Sequence, residues 1–159
     1  MNTLFKEFLS IAKHLNNEFG ISPLLYGSLG LGMITNIDFK SKDIDILIPH
    51  NYLNEDWNKL KQAIENLGYY LEDVNEHEFC NGKHKIGFSY IEDLTEFAQI
   101  NIDEIEEKRQ ENITYKVLNL EQYDRVYQRS AQDGYRVHYR NKKDGEKLKI
   151  IKQLRESRS

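Results

Sequence analysis

The run Asp43-Ile44-Asp45-Ile46-Leu47-Ile48, closed by Pro49, constrains this chain more than any other segment. Acidic and aliphatic residues alternate, so in a strand Asp43 and Asp45 project from one face and Ile44, Ile46 and Ile48 from the other. The aliphatic face belongs in a core. The acidic face is left outside it, where two neighbouring carboxylates can act together.

The segments around this strand alternate in type. Leu4, Phe5, Phe8, Leu9, Ala12, Leu15 and Phe19 recur at helical spacing, with Thr3 as the expected cap and Gly20 as the stop. Leu24-Leu25-Tyr26 predicts a short buried strand ending at Gly27-Ser28. Leu29 to Ile34 fits one or two helical turns, and Thr35 to Lys42 reads as a loop. Asn54, Glu55 and Asp56 suit a helix start, because acids complement its positive end. Trp57, Leu60, Ile64 and Leu67 give that helix an apolar stripe, and Gly68 ends it. Three strands are expected next, over Tyr69–Val74, Glu76–Cys80 and Lys85–Ile91, with Asn81-Gly82 as a two-residue hairpin. Phe97 to Ile105 has no clear period. Tyr115 to Leu118 predicts a strand. Asn119 caps a helix to Gln132 with Leu120, Tyr123, Val126 and Tyr127 inward, Asp133-Gly134 breaks the chain, and a last helix covers Lys142 to Glu156. The order implies one α/β (α+β) domain over residues 1–159. A mixed sheet with flanking helices fills a core of about 1–118, and a helical part follows over about 119–159.

The chain has 159 residues, 30 % of them charged, and a net charge of −4. That balance argues against a generic polyanion binder. The charge is uneven: Glu92 to Glu111 holds eight acids and two bases, whereas Arg136 to the end holds nine bases and three acids. Both runs read first as solvated helix faces, the second also as an edge suited to phosphate. A single cysteine, Cys80, excludes a disulfide within the chain, and no Cys/His cluster has zinc spacing. The N-terminal helix carries acid and lysine within its apolar pattern, unlike a signal peptide, and no apolar run is long enough to span a membrane. A reducing cytoplasm is the expected location.

A strand, Gly-Ser, a spacer and Asp-x-Asp together suggest a particular chemistry. Glycine lets a phosphate approach the backbone closely, and serine adds a hydroxyl donor. Two carboxylates side by side suit Mg²⁺, which keeps waters and bridges to substrate phosphates. Two such ions can clamp the attacking and leaving oxygens of phosphoryl transfer.

The segment LLYGSLGLGMITNIDFKSKDIDILIP resembles the signature of the polymerase-β-like nucleotidyltransferase superfamily, and more closely its small bacterial members, the lincosamide and aminoglycoside nucleotidyltransferases. The resemblance covers Leu24 to Pro49. It implies transfer of a nucleoside monophosphate from a Mg²⁺-bound NTP to a hydroxyl of a small molecule, with release of pyrophosphate. By that resemblance Gly27 and Ser28 would hold the triphosphate, and Asp43 and Asp45 would hold one or two Mg²⁺ and carry the catalysis. A Lys-Asp pair opening a late helix is also family-like. Here it is Lys143-Asp144, with Lys143 as a nucleotide-binding cation and Arg136 and Arg140 upstream.

The family's third carboxylate, expected on a later strand, is replaced by Gly87. A two-residue turn at Asn81-Gly82 would set Cys80 against Lys83, Glu78 against Lys85 and Glu76 against Gly87, with Glu76 and Glu78 on the face of Gly87. Glu78 is the preferred substitute base; an ion pair between Glu78 and Lys85 is the competing expectation. Glu76, Glu92 and Asp93 are further candidates. His77 and His84 read as strand positions rather than bases. Tyr123, Tyr127, Tyr135 and Tyr139 could stack on a base or sugar, although helical spacing places the first two in the core. The alternative to an enzyme is a non-catalytic member of the fold that binds a nucleotide or a protein. Nucleic acid is not the expected partner, because the aromatic-basic pattern of common RNA modules is absent.

Overall fold

The computed structural model describes residues 2–132 and 137–158, and the side chains of 2–131 and 145–157. Helix α1 spans Thr3–Phe19, strand β1 Leu24–Tyr26, α2 Gly27–Thr35, β2 Asp43–Ile48 and α3 Trp57–Glu65. Strands β3 (Tyr70–Asp73), β4 (Glu78–Cys80) and β5 (Lys85–Tyr90) follow, then α4 (Asp93–Ala98). Strands β6 (Glu106–Gln110) and β7 (Ile113–Val117) precede α5 (Leu120–Gln132) and α6 (Val137–Arg158). The seven strands form one mixed sheet in the order β3-β4-β5-β2-β1-β7-β6. Pairs β2–β5 and β1–β7 are parallel, and the remaining neighbours are antiparallel. The fold is thus α+β, a mixed sheet with flanking helices and a helical C-terminal part. No helix among the described residues is long and apolar enough to cross a membrane.

Two cores cover the two faces of this sheet. Leu4, Phe5, Phe8, Leu9, Ala12 and Leu15 of α1 pack with Leu60 and Ile64 of α3 against Ile44, Ile46, Ile48, Ile86 and Phe88. Phe8 and Leu15 are wholly buried, and each such side chain contributes about 1.5–3 kcal/mol. Asn16 fixes the end of α1 to β7, since its side chain donates to Thr114 O at 3.0 Å and accepts from Thr114 N at 2.9 Å. On the opposite face, Leu24 and Leu47 meet α4, α5 and Ile151 of α6. Asn119 and Gln122 cap α5 reciprocally: Gln122 N donates to Asn119 Oδ1 at 2.8 Å, and Asn119 N donates to Gln122 Oε1 at 2.9 Å. Arg155 of α6 pairs with the buried Asp124 of α5.

Several boundaries differ from expectation, each for a local reason. The cap of α1 is Asn2, whose Oδ1 accepts from Leu4 N at 2.8 Å; Thr3 is already helical. His50–Leu53 forms a 3₁₀ turn, and α3 begins only at Trp57, with Asp56 as its N-cap residue and the Asp56 carboxylate accepting from Asn51 Nδ2 at 2.9 Å. The helix closes at Asn66, two residues before Gly68. Strand β4 starts at Glu78 rather than Glu76, since Val74 to His77 turns tightly with His77 at φ +52°. The last helix begins at Val137, so Lys143-Asp144 lies inside it. Strand β6 was not expected. It takes part of the acidic run read as a helix face, as an exposed edge strand joined to β7 through Glu111 and Asn112, both at positive φ. Charge on an edge strand blocks further pairing but leaves no apolar alternation to read. The expected break at Asp133-Gly134 lies outside the described residues.

Candidate active site

Strand β2 behaves as its alternation requires. Asp43 and Asp45 are exposed, while Ile44, Ile46 and Ile48 are buried against α1 and α3. Asp45 pairs in register with Tyr26 of β1 on one side and Gly87 of β5 on the other. The next strand sets Glu78 opposite Gly87. Asp45, Gly87 and Glu78 therefore stand in a row across three strands.

Gly87 leaves the space between the two acids open. A Cβ added there would lie 3.7 Å from Asp45 Oδ1 and 3.8 Å from Glu78 Cγ. The two carboxyl side chains thus flank the place where the third carboxylate was expected. The turn between β4 and β5 explains how Glu78 arrives there. Gly82 and Lys83 are its central residues, with Asn81 N donating to His84 O at 3.2 Å and Gly82 at φ +93°. Asn81 stays outside the turn, where its Oδ1 accepts from Lys83 N at 2.9 Å and His84 N at 2.8 Å. The expected turn at Asn81-Gly82 is therefore displaced. Glu78, not Glu76, faces Gly87, and Cys80, not Glu78, faces Lys85. The displacement moves the pairing by two residues, so the faces survive and only the partners change. The Lys85 ammonium lies 3.6 Å from Glu72; Glu72 first, then Glu78, hold it above the usual lysine range. Lys85 thus pairs with Glu72 instead of capturing Glu78.

These residues line a cleft of about 560 Å³. Asp43, Asp45, Glu76, Glu78 and Asp93 supply five carboxylates to it, Tyr26, Tyr90 and Phe97 supply aromatic walls, and among the described residues no lining residue is basic. So acidic a cleft favours a cation. Among the described residues, no three His, Cys, Asp or Glu side chains form a group that could hold a metal ion by themselves. Paired hard-oxygen donors still fit Mg²⁺, which takes its remaining ligands from water and phosphate. Glu92 does not join the cleft: its carboxylate lies 2.6 Å from His50 Nδ1 and accepts from His50 N at 3.1 Å. His77 packs edge-on against Trp57, and His84 faces Glu7 at 3.4 Å, so neither histidine enters the site.

Gly27 is fixed by its neighbour. It sits at φ +68°, and a Cβ there would fall 2.5 Å from Asp45 Oδ2. Both the left-handed backbone and the approach of Asp45 require glycine. Ser28 opens away from the acidic cleft: its hydroxyl shares a hydrogen bond of 2.5 Å with Ser41, and it lines an adjoining hollow with Gly32 and Phe39. Lys143 lies within α6, with its side chain outside the described residues, as are the side chains of Arg136, Arg140, Tyr135 and Tyr139. Tyr123 and Tyr127 are buried in the core. Sequence reasoning missed that Tyr123 Oη also donates to Gly27 O, at 3.1 Å. Helical spacing from Asn119 signals its burial but cannot name a partner 96 residues away.

The chain is 45 % identical over 151 residues to the Bacillus subtilis (strain 168) protein described as "Uncharacterized protein YnaI", an alignment covering 95 % of this chain and 97 % of that one. No protein-family model matches the chain, and no solved structure matches it. By that identity and coverage the chain belongs to the YnaI family.

Proposed function

We propose that this member of the YnaI family is a nucleotidyltransferase, moving a nucleoside monophosphate from a Mg²⁺-bound NTP to a hydroxyl of a small acceptor. One observation carries the reading: Asp45 abuts the backbone of Gly27 and stands in register with Gly87 and then Glu78 beside one open acidic cleft. Gly27 and Ser28, at the head of α2, receive the triphosphate through their backbone donors, the Ser28 hydroxyl joining them only if it turns from Ser41. Asp43 and Asp45 would hold Mg²⁺, which when bound would supply charge neutralisation to the phosphoryl transfer. Glu78 takes the proton of the acceptor hydroxyl as that oxygen attacks the α-phosphorus. The bond from the α-phosphorus to the bridging oxygen breaks, and pyrophosphate leaves with the bonding pair. Lys143 is assigned to the phosphates in the same reading.

A screen by mass spectrometry for NMP adducts, with Mg²⁺, each NTP in turn and a panel of hydroxyl-rich acceptors, tests this. The wild type is expected to give an adduct, and Asp43→Asn/Asp45→Asn is expected to abolish it. An adduct that survives the double substitution overturns the site assignment.

A second reading, a non-catalytic nucleotide-binding or protein-interaction member of the fold, is favoured by Gly87 in place of the third acid. Mg²⁺-dependent release of pyrophosphate separates the two. Nucleotide binding without that release supports the second.

A further inference from the structure

Tyr123 is a wholly buried tyrosine of α5 whose hydroxyl reaches across the domain to the turn after β1. Its ring stacks between Tyr26, at 6.5 Å and 21°, and Tyr127, at 6.0 Å and 20°. Its Oη donates to the carbonyl of Gly27 at 3.1 Å. The same hydroxyl lies over Gly30: a Cβ at that glycine would be 2.2 Å from Tyr123 Oη and 2.6 Å from Leu25 O. Gly27 in turn abuts Asp45 Oδ2. One phenol therefore touches both ends of the first turn of α2 and stands one residue from the carboxylate of β2. Burial first, then Tyr127, Tyr26 and Asp45, push its ionisation well above the ordinary tyrosine range, so it remains a donor at any physiological pH.

Helix α5 is itself held from behind. Arg155 of α6 pairs with Asp124, and the Lys147 ammonium sits 5.7 Å from the centre of the Tyr127 ring. The C-terminal helices thus support the tyrosine that meets the glycine turn.

We propose that Tyr123 is a positioning residue for the nucleotide site, setting the Gly27–Ser28 turn and, through Gly27, the carboxylate of Asp45. The inference rests on the nucleotidyltransferase reading for what the turn binds, but not for the contact itself. Without the Tyr123 hydroxyl the Gly27 carbonyl loses the donor that ties it to α5, and the turn that presents Gly27 is free to relax. The C-terminal helical part then belongs to the site rather than standing beside it.

The test compares full-length wild type with Tyr123→Phe and with Tyr115→Phe, a matched change at a buried tyrosine on the other face of the sheet. The ligand-free readouts are the carbonyl ¹³C shift of Gly27 and amide exchange from Gly27 to Gly30. The ligand readout is Mn²⁺–ATP affinity, measured by water-proton relaxation. Tyr123→Phe is expected to move the Gly27 carbonyl shift, to speed exchange in the turn about ten-fold, and to weaken Mn²⁺–ATP about three- to ten-fold. Its melting temperature should fall by only about 2–4 °C. Tyr115→Phe should leave the turn and the affinity unchanged. An unmoved turn in Tyr123→Phe overturns the proposal, as does a loosened turn with unchanged affinity or an equal effect from Tyr115→Phe. If the wild type binds no Mn²⁺–ATP, the nucleotide reading fails, while the carbonyl shift and exchange still decide whether Tyr123 holds the turn.

Discussion

The face of the sheet that carries Asp43 and Asp45 has two unlike halves. Over β1 it is roofed by α5, backed by α6, and Leu24 of β1 is wholly buried there with Leu118 and with Tyr123 of α5. Over β5 and β4 the cleft is open, and its residues include Asp43, Asp45, Glu78 and Gly87. The same sheet therefore offers a packed apolar surface and an acidic one, with Asp45 at the seam. Covering helices account for the difference. Where α5 lies on the strands, a polar group survives only if it has a fixed partner, as the Tyr123 hydroxyl has in Gly27. Where the cleft opens, walled by α4 at one side and roofed by no helix, carboxylates can gather without desolvation and remain available to a cation and its ligand.

The largest expected effect breaks the comparison on the open side. Glu78→Gln should lower NMP transfer about 10²- to 10⁴-fold, the usual worth of a general base. Its unfolding free energy should change by less than about 0.5 kcal/mol, because the site is a solvated surface. Steady-state pyrophosphate release together with urea unfolding measures both, and unaltered turnover removes Glu78 from the mechanism. The next effect sets one substitution against itself across the seam. Gly30→Ala, under Tyr123 and against the Leu25 carbonyl, should cost about 1–3 kcal/mol, since a backbone atom must move. Gly87→Ala meets only ordinary contacts at 3.7 and 3.8 Å. It should be neutral, or stabilising by up to about 1 kcal/mol through lower chain entropy when unfolded. Equal unfolding midpoints for the two variants would show that the halves are packed alike.

The smallest effect sharpens the edge of the cleft, where Glu92 and Asp93 part. Asp93 lines the cleft, whereas Glu92 holds His50. The hydrogen bond from Glu92, then its charge, raises the His50 pKa above 6.5. A raised histidine gives stability that is fully present below its unfolded pKa and is lost as pH rises through the folded one. The His50–Glu92 contribution should therefore be complete in mild acid and fade upward from about pH 6.5. An NMR titration of the wild type should show a His50 midpoint above 6.5, and Glu92→Gln should return it to about 6.5 without shifting the Asp93 signals.

Much of the scaffold was legible because its signals are local. The two-residue alternation of β2, the apolar spacing of α1 and the Asn119 cap each describe a few neighbouring residues, and each appears as read. Thr3 failed as the cap of α1 because two adjacent polar residues could cap, and a single hydrogen bond, from Leu4 N to Asn2, decides between them; α3 starts from Asp56, the last of the three expected residues. Strand β6 was hidden because an exposed edge strand needs no apolar face.

By itself, then, the sequence determined that Asp43 and Asp45 would share one face beside a glycine turn, because the two-residue period of a strand permits nothing else. It also determined that Glu76 and Glu78 would lie on the face of Gly87, since the hairpin turn moved by an amount that preserves the faces. Only the tertiary structure decided which of the two faces Gly87. That choice is made outside the hairpin. Glu7 of α1 accepts from Asn81 Nδ2 at 2.8 Å and faces His84 at 3.4 Å, which places the turn at Gly82-Lys83 and Glu78 beside Asp45. Only tertiary structure could place Tyr123 against Gly27, because that contact joins two helices whose packing follows from burial of both and is written in neither segment alone.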